Sequence, residues 1–137
     1  MVRGARARDD SGMTQKILIV DDSELVRTRL GALLAGVDGV VVTLAATLFG
    51  ALDDAVRDLP DLIVLDLHLP ECNAIRAIPH FKRLLPGVRI AVLTNAAHVF
   101  NRNASLEAGA DWFFDKSTEF EALVELVRQF AAPPGPS

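Results

Sequence analysis

The stretch Lys16–Asp22 (KILIVDD) joins an almost unbroken apolar run to two adjacent acids. A strand that is apolar at successive positions has two faces to bury, as in a parallel sheet covered by helices on both sides. Three further runs end on a polar residue in the same way. Leu62–Leu65 (LIVL) is closed by Asp66, Ile90–Leu93 (IAVL) by Thr94, and Trp112–Asp115 (WFFD) is followed by Lys116. Val40–Leu44 (VVVTL) is the remaining strand, second in chain order. Open α/β sheets bind ligands beyond the carboxyl ends of their strands. An acid pair, a lone acid, a hydroxyl and an amine, each about one βα unit from the next, therefore fall where a site would form.

Helical spacing fills the intervals between these runs. Ser23 is placed to cap a helix carrying Leu25, Val26, Leu30, Leu33 and Leu34, which Gly36 ends. Thr47 caps a second helix through Leu48, Leu52 and Val56 to Leu59, where Pro60 stops it. A long loop containing Pro70 precedes the third, within Ile75–Leu85, and Pro79 would kink that helix unless it falls in the first turn. The fourth spans about Val99–Ala108, with Gly109 as a left-handed terminator. The fifth is Ser117–Phe130, where Thr118 and Glu121 have capping-box spacing and Ser117 offers an alternative cap. Five βα units with right-handed crossovers give a parallel sheet with helices on both faces.

One domain, residues 15–130, accounts for this pattern. Residues 1–14 (MVRGARARDDSGMT) have no periodicity and are expected to be a disordered tail, or an upstream extension before a start at Met13. Ala131–Ser137 (AAPPGPS) is a proline-rich tail that cannot continue a helix. The chain is expected to end there without an effector domain. Of the 137 residues, 50% are hydrophobic and 23% charged, enough for a substantial core. The net charge is −4, and the domain without its first 14 residues carries eleven basic and sixteen acidic residues. That balance argues against direct nucleic-acid binding, which rests on clustered Lys and Arg. No apolar run reaches the roughly 18 to 20 residues that span a bilayer, and residues 1–14 lack an apolar signal-peptide core. The lone Cys72 cannot form an internal disulfide and reads as a small loop side chain rather than a catalytic thiol. A cytoplasmic protein without membrane insertion is expected.

The order Asp21-Asp22, Asp66, Thr94, Lys116 resembles the receiver domain of two-component response regulators, the CheY-like family, over about residues 15–130. The resemblance implies a flavodoxin-like doubly wound fold with strand order 2-1-3-4-5 and five helices. It also implies Mg²⁺-dependent phosphoryl transfer onto Asp66 from a histidine kinase or phosphotransfer protein. Asp21, Asp22, Asp66 and the backbone carbonyl of His68 would be the metal ligands. Thr94 and Phe113, the aromatic three residues before Lys116, would be the switch, and Phe113 has no hydroxyl with which to contact a partner. The surface of helix four, strand five and helix five would dock an unknown downstream protein or dimerise, a reading that exposed Trp112 or Phe120 would strengthen. Departures from the family pattern are Ala74 in place of a glycine and Ser117 in place of a proline. His68 stands where side chains influence the lifetime of the phosphoryl group, whereas His80 and His98 show no metal-ligand spacing with it.

The residues support that chemistry independently of the family. Phosphoryl transfer needs an attacking carboxylate, a divalent cation and a fixed positive charge. Asp66 would attack and form an acyl phosphate, Asp21 and Asp22 offer the hard oxygens Mg²⁺ prefers, and Thr94 and Lys116 would donate to the phosphoryl oxygens. Two carboxylates about 4 Å apart repel by roughly 4 kcal/mol at an effective dielectric near 20, so three together call for a cation. The reading is a stand-alone phosphoacceptor, not an enzyme beyond its own Mg²⁺-dependent phosphorylation and autodephosphorylation. A phosphorylation-independent binding module is the alternative. A phosphohydrolase with an aspartyl nucleophile is disfavoured, because the acid expected two residues after the nucleophile is His68.

Overall fold

A computed structural model describes residues 14–70, 73–95 and 98–131. Cys72, the first 13 residues and residues 132–137 lie outside them. The chain alternates β1 (Gln15–Val20), α1 (Glu24–Ala35), β2 (Val40–Ala45), α2 (Leu48–Asp58) and β3 (Leu62–Leu65). It continues through α3 (Ala77–Leu84), β4 (Arg89–Thr94), α4 (Val99–Ala108), β5 (Trp112–Asp115) and α5 (Phe120–Ala131). All five strands are parallel, in the order β2-β1-β3-β4-β5. This is the flavodoxin-like, doubly wound topology expected from the sequence.

The alternation of side chains along a strand divides the core in two. Leu18 and Val20 of β1 join Ile63 and Leu65 of β3, Ala51 and Ala55 of α2, and Ile78 and Phe81 of α3. Ile17 and Ile19 pack on the opposite face with Leu30 and Leu34 of α1 and with Leu123, Val124 and Val127 of α5. Each fully buried Leu or Ile contributes roughly 1.5–3 kcal/mol relative to exposure. β1, β3 and β4 therefore form a rigid centre from which the polar strand ends project.

Local chemistry explains the helix boundaries. The Ser23 hydroxyl accepts from the Val26 amide at 3.2 Å and the Thr47 hydroxyl from Gly50 at 3.0 Å, as their cap positions predict. Pro79 is the third residue of α3, so its missing N–H falls where no intrahelical acceptor is needed. A short 3₁₀ turn, Ala74–Arg76, precedes it and is capped by the Asn73 side chain. Gly109 ends α4 at φ 123°. Gly36 ends α1 with an ordinary helical φ of −77° and needs no glycine freedom. α2 stops one residue earlier than expected, because Leu59 itself turns left-handed at φ 53°.

The start of α5 corrects the sequence reading. The helix begins at Phe120, and neither Ser117 nor the Thr118–Glu121 pair caps it. Asp115 takes the preceding segment instead. Its Oδ1 accepts from the amide and the hydroxyl of Ser117 at 2.9 and 2.6 Å, while its carbonyl accepts from the Thr118 and Glu119 amides. An acid that bonds the backbone two residues on competes with a helix start at that point. The helix also reaches Ala131, one residue into the expected tail.

Candidate functional site

Four of the five strand ends meet at one place. Asp21 and Asp22 follow β1, Asp66 follows β3, Thr94 ends β4 and Lys116 follows β5. One carboxylate oxygen each from Asp21, Asp22 and Asp66 lies within 4.8 Å of the others. Asp21 is 3% and Asp66 6% exposed, whereas Asp22 faces solvent. Three carboxylates against the one ammonium of Lys116 leave a formal charge of −2.

Backbone and side-chain donors hold the acids in place. The Asp21 amide donates to the Ala45 carbonyl and the Asp66 amide to the Val20 carbonyl, which extends the ladder past the strand ends. Asp21 Oδ1 accepts from the Ser23 amide at 2.9 Å, and the Asp21 carbonyl accepts from the Arg27 guanidinium at 2.9 Å. The sequence reading missed Arg27. Its position one helical turn after the cap residue Ser23, beneath the acid pair, was the available signal.

Lys116 lies between the two buried acids. Its ammonium donates to Asp21 Oδ2 at 2.6 Å and to Asp66 Oδ2 at 3.3 Å, so it bridges both acids, with Asp21 the nearer partner. Thr94 is fully buried beside Asp66, and its side chain favours the charged form of that carboxylate. The His68 amide donates to Asp66 Oδ1 at 3.3 Å, while its imidazole is exposed. An isolated bridge from His68 to Asn73, and the Ala74 amide bonded to the Leu67 carbonyl, close the loop after β3. Ala74 is completely buried there, at the position where the family pattern has glycine.

The electrostatics follow from burial and neighbours. Desolvation pushes the Asp66 carboxyl above its ordinary value, and the nearby Asp21 charge adds to this against the opposing pull of Lys116. Burial opposes the Lys116 ammonium, but hydrogen bonds and charge from Asp21 and Asp66 outweigh it and raise its pKa. The donor set suits a hard divalent cation: three carboxylate oxygens, one on the solvent side, and two charges left unbalanced.

Phe113 is buried in the core on the α3 side of the sheet at 7% exposure. Trp112 and Phe120 are half-buried rather than exposed, and each is covered by an arginine. Arg89 lies over the Trp112 ring at 4.8 Å and Arg29 over Phe120 at 5.4 Å. The apolar surface of this region comes from α4, where Val99 and Phe100 are 71% and 74% exposed. α4 turns Asn101 and Ser105 inward, so its polar side is the buried one. His80 is exposed and paired with Arg83, and His98 is exposed near Asn101; neither approaches the acids. Among the described residues, no helix is long and apolar enough to cross a membrane.

Comparison with known proteins agrees with this geometry. A family model described as the response regulator receiver domain matches residues 17–128. Response regulator GacA of Pseudomonas aeruginosa is 29% identical over 118 residues, which cover 85% of this chain and 55% of GacA. The uncharacterized transcriptional regulatory protein YhcZ of Bacillus subtilis is 38% identical over 111 residues, 80% of this chain and 52% of YhcZ. The chain thus spans about half the length of these curated relatives. Among solved structures, a CheY-like response regulator receiver domain protein from Methanospirillum hungatei superposes with a TM-score of 0.78 at 27% identity, covering 86% of this chain and 94% of that one. A Burkholderia pseudomallei response regulator, determined with a phosphorylated aspartic acid, calcium ion and citrate, gives 0.76 at 27% identity, covering 85% and 68%. With its five parallel strands, its converging acids and a family match over most of its length, this chain belongs to the response regulator receiver domain family of two-component signalling.

Proposed function

We propose that Asp66 accepts a phosphoryl group from a histidine kinase or phosphotransfer protein and that the modified domain signals through protein contacts. The observation that carries the reading is the convergence of Asp21, Asp22, Asp66, Thr94 and Lys116, drawn from four strands, at one end of the sheet. In the transfer, an Asp66 carboxylate oxygen attacks phosphorus as the bond from phosphorus to the donor nitrogen breaks. The leaving imidazole keeps that electron pair. Asp21, Asp22 and Asp66, with the backbone of His68, would hold Mg²⁺, which when bound supplies the positive charge that offsets the phosphoryl oxygens. Lys116, released in part from Asp66, donates to those oxygens, and Thr94 turns its hydroxyl toward the phosphoryl group.

Thr94 and Phe113 form the switch in this reading. Thr94 ends β4 and Phe113 lies within the neighbouring β5, opposite Val92, in a register that runs from Ala91↔Trp112 to Thr94↔Asp115. A shift of the Thr94 side chain would be transmitted along this strand pair to the Phe113 ring, which is buried in the core. Val99 and Phe100 of α4 supply the apolar contact for a downstream protein, because Trp112 and Phe120 are covered. The domain catalyses only its own phosphorylation and dephosphorylation.

Incubation with acetyl phosphate and Mg²⁺ tests the assignment against its competitors. Stoichiometric labelling that requires Mg²⁺ and disappears in Asp66→Asn supports it. Absence of labelling favours a phosphorylation-independent binding module, and sustained hydrolysis of an added phosphoester favours a phosphohydrolase.

A further inference from the structure

β2 ends the sheet and offers an open edge. The Gln15 amide bonds the Gly39 carbonyl and the Asp21 amide bonds the Ala45 carbonyl, so the odd-numbered residues of β2 point their backbone groups at β1. The amides of Val42 and Leu44 and the carbonyls of Val40, Val42 and Leu44 therefore face away from the sheet. Among the described residues, none bonds them.

Natural edge strands are blunted with charge, proline, bulges or short length. β2 has none of these. It is six residues long, VVVTLA, without charge, proline or glycine, and Val41 and Leu44 are 54% and 44% exposed. The opposite edge, β5, is four residues long and ends in Asp115.

We propose that β2 is the pairing edge of a homodimer, in which two copies join antiparallel about a two-fold axis at Val42 to form one continuous ten-stranded sheet. The occupant is a second copy because the open groups are self-complementary. With Val42 opposite Val42, its amide and carbonyl exchange two hydrogen bonds across the axis, and each Leu44 amide meets the partner's Val40 carbonyl. The facing side chains are Val42 with Val42, Leu44 with Val40, and Val41 with Thr43. All are apolar or β-branched pairs that stabilise a sheet. Charge favours the same edge: two chains of net −4 repel, and β2 is a contact at which they meet with no charged side chain in the strand. Asp38, just outside it, would face the partner's Ala46 rather than another acid. A two-fold at β2 places the two Asp66 pockets at opposite ends of the joined sheet, each open to its own phosphodonor.

Sedimentation velocity of the full chain over a concentration series, with hydrogen exchange on the same samples, tests the proposal. The wild type is expected to sediment as a concentration-dependent dimer, with the Val42 and Leu44 amides slowing in exchange as the dimer forms. Val42→Pro removes an outward-facing donor and leaves the bonds to β1, which suits proline on an edge strand. It should weaken dimerisation tenfold or more. Should that variant fail to fold by circular dichroism, Val41→Lys, an exposed charge at the seam, serves instead with the same expected loss. A wild type that stays monomeric at its highest soluble concentration overturns the proposal. So does a dimer that persists unchanged in the folded variants, or Val42 and Leu44 amides that exchange at the same rate in monomer and dimer.

Discussion

Lys116 and Asp66 share a hydrogen bond, yet replacing them should move stability in opposite directions. Asp66 is buried beside Asp21, and its pKa is raised on folding. A group raised in this way contributes stability that is full below its unfolded pKa and lost as pH rises through the folded value. Ionised Asp66 therefore opposes folding at neutral pH. Asp66→Asn should raise the melting temperature of the metal-free protein at pH 7.5 by a few degrees, about 1 kcal/mol. The gain should shrink as pH falls through the raised pKa of Asp66, and also when Mg²⁺ is added. Thermal melts over pH with and without chelator check this; an Asn variant less stable at neutral pH contradicts it. Lys116→Met removes the one cation that, among the described residues, is bonded to Asp21 Oδ2 and Asp66 Oδ2. It should cost about 3 kcal/mol in metal-free buffer by leaving buried carboxylates unpaired, measured by urea unfolding. The acids, hydroxyl and amine were legible in the sequence because each follows a strand. The preference of Lys116 for Asp21 was not, since strand order brings both acids within its reach and only side-chain geometry separates them.

Individual elements show where pattern reading works and where it fails. The five strands and the caps at Ser23 and Thr47 were legible because burial on both faces and first-turn chemistry leave direct marks in the sequence. The α5 start was misplaced because two local devices compete there, and the turn built on Asp115 overrides the Thr118–Glu121 spacing. α2 ends on a left-handed Leu59, where a side chain is strained. Leu59→Gly should therefore stabilise the domain by roughly 0.5–1 kcal/mol, because the residue is largely exposed and glycine adopts that φ freely. A destabilised glycine variant in chemical denaturation would show that Leu59 contributes packing instead. α4 was expected at about Val99–Ala108, but the side it buries was not visible in the sequence: the structure exposes Val99 and Phe100 and turns Asn101 and Ser105 inward. Ser105 is buried with its hydroxyl unbonded among the described residues. Ser105→Ala should be neutral or stabilising by up to about 1 kcal/mol, and a loss above that would reveal a bond from this hydroxyl.

The two ends of the molecule divide the work between stability and chemistry. At the amino ends of the strands, Asp111 Oδ2 accepts from Lys82 at 2.8 Å and from the Ile90 amide at 2.9 Å, and Oδ1 pairs with Arg89. Burial opposes its charge, but these partners prevail and hold the Asp111 pKa below the usual carboxylate range. A depressed acid contributes stability present above its unfolded pKa and lost as pH falls through the folded one. Asp111→Ala should thus cost about 2 kcal/mol at neutral pH and progressively less in acid, by urea unfolding at several pH values; equal losses at pH 7 and pH 2 would contradict it. At the carboxyl ends, like charges are gathered at a cost to stability, a cost that a bound cation would relieve. The central claim is that Asp21, Asp22 and Asp66 form one divalent-cation site. Isothermal titration of the metal-free chain with Mg²⁺ addresses it most directly. One ion per chain should bind in the millimolar range and raise the melting temperature, and Asp21→Asn or Asp22→Asn should weaken binding tenfold or more. An absence of Mg²⁺ uptake by the wild type, or affinity unchanged by both substitutions, would contradict the account.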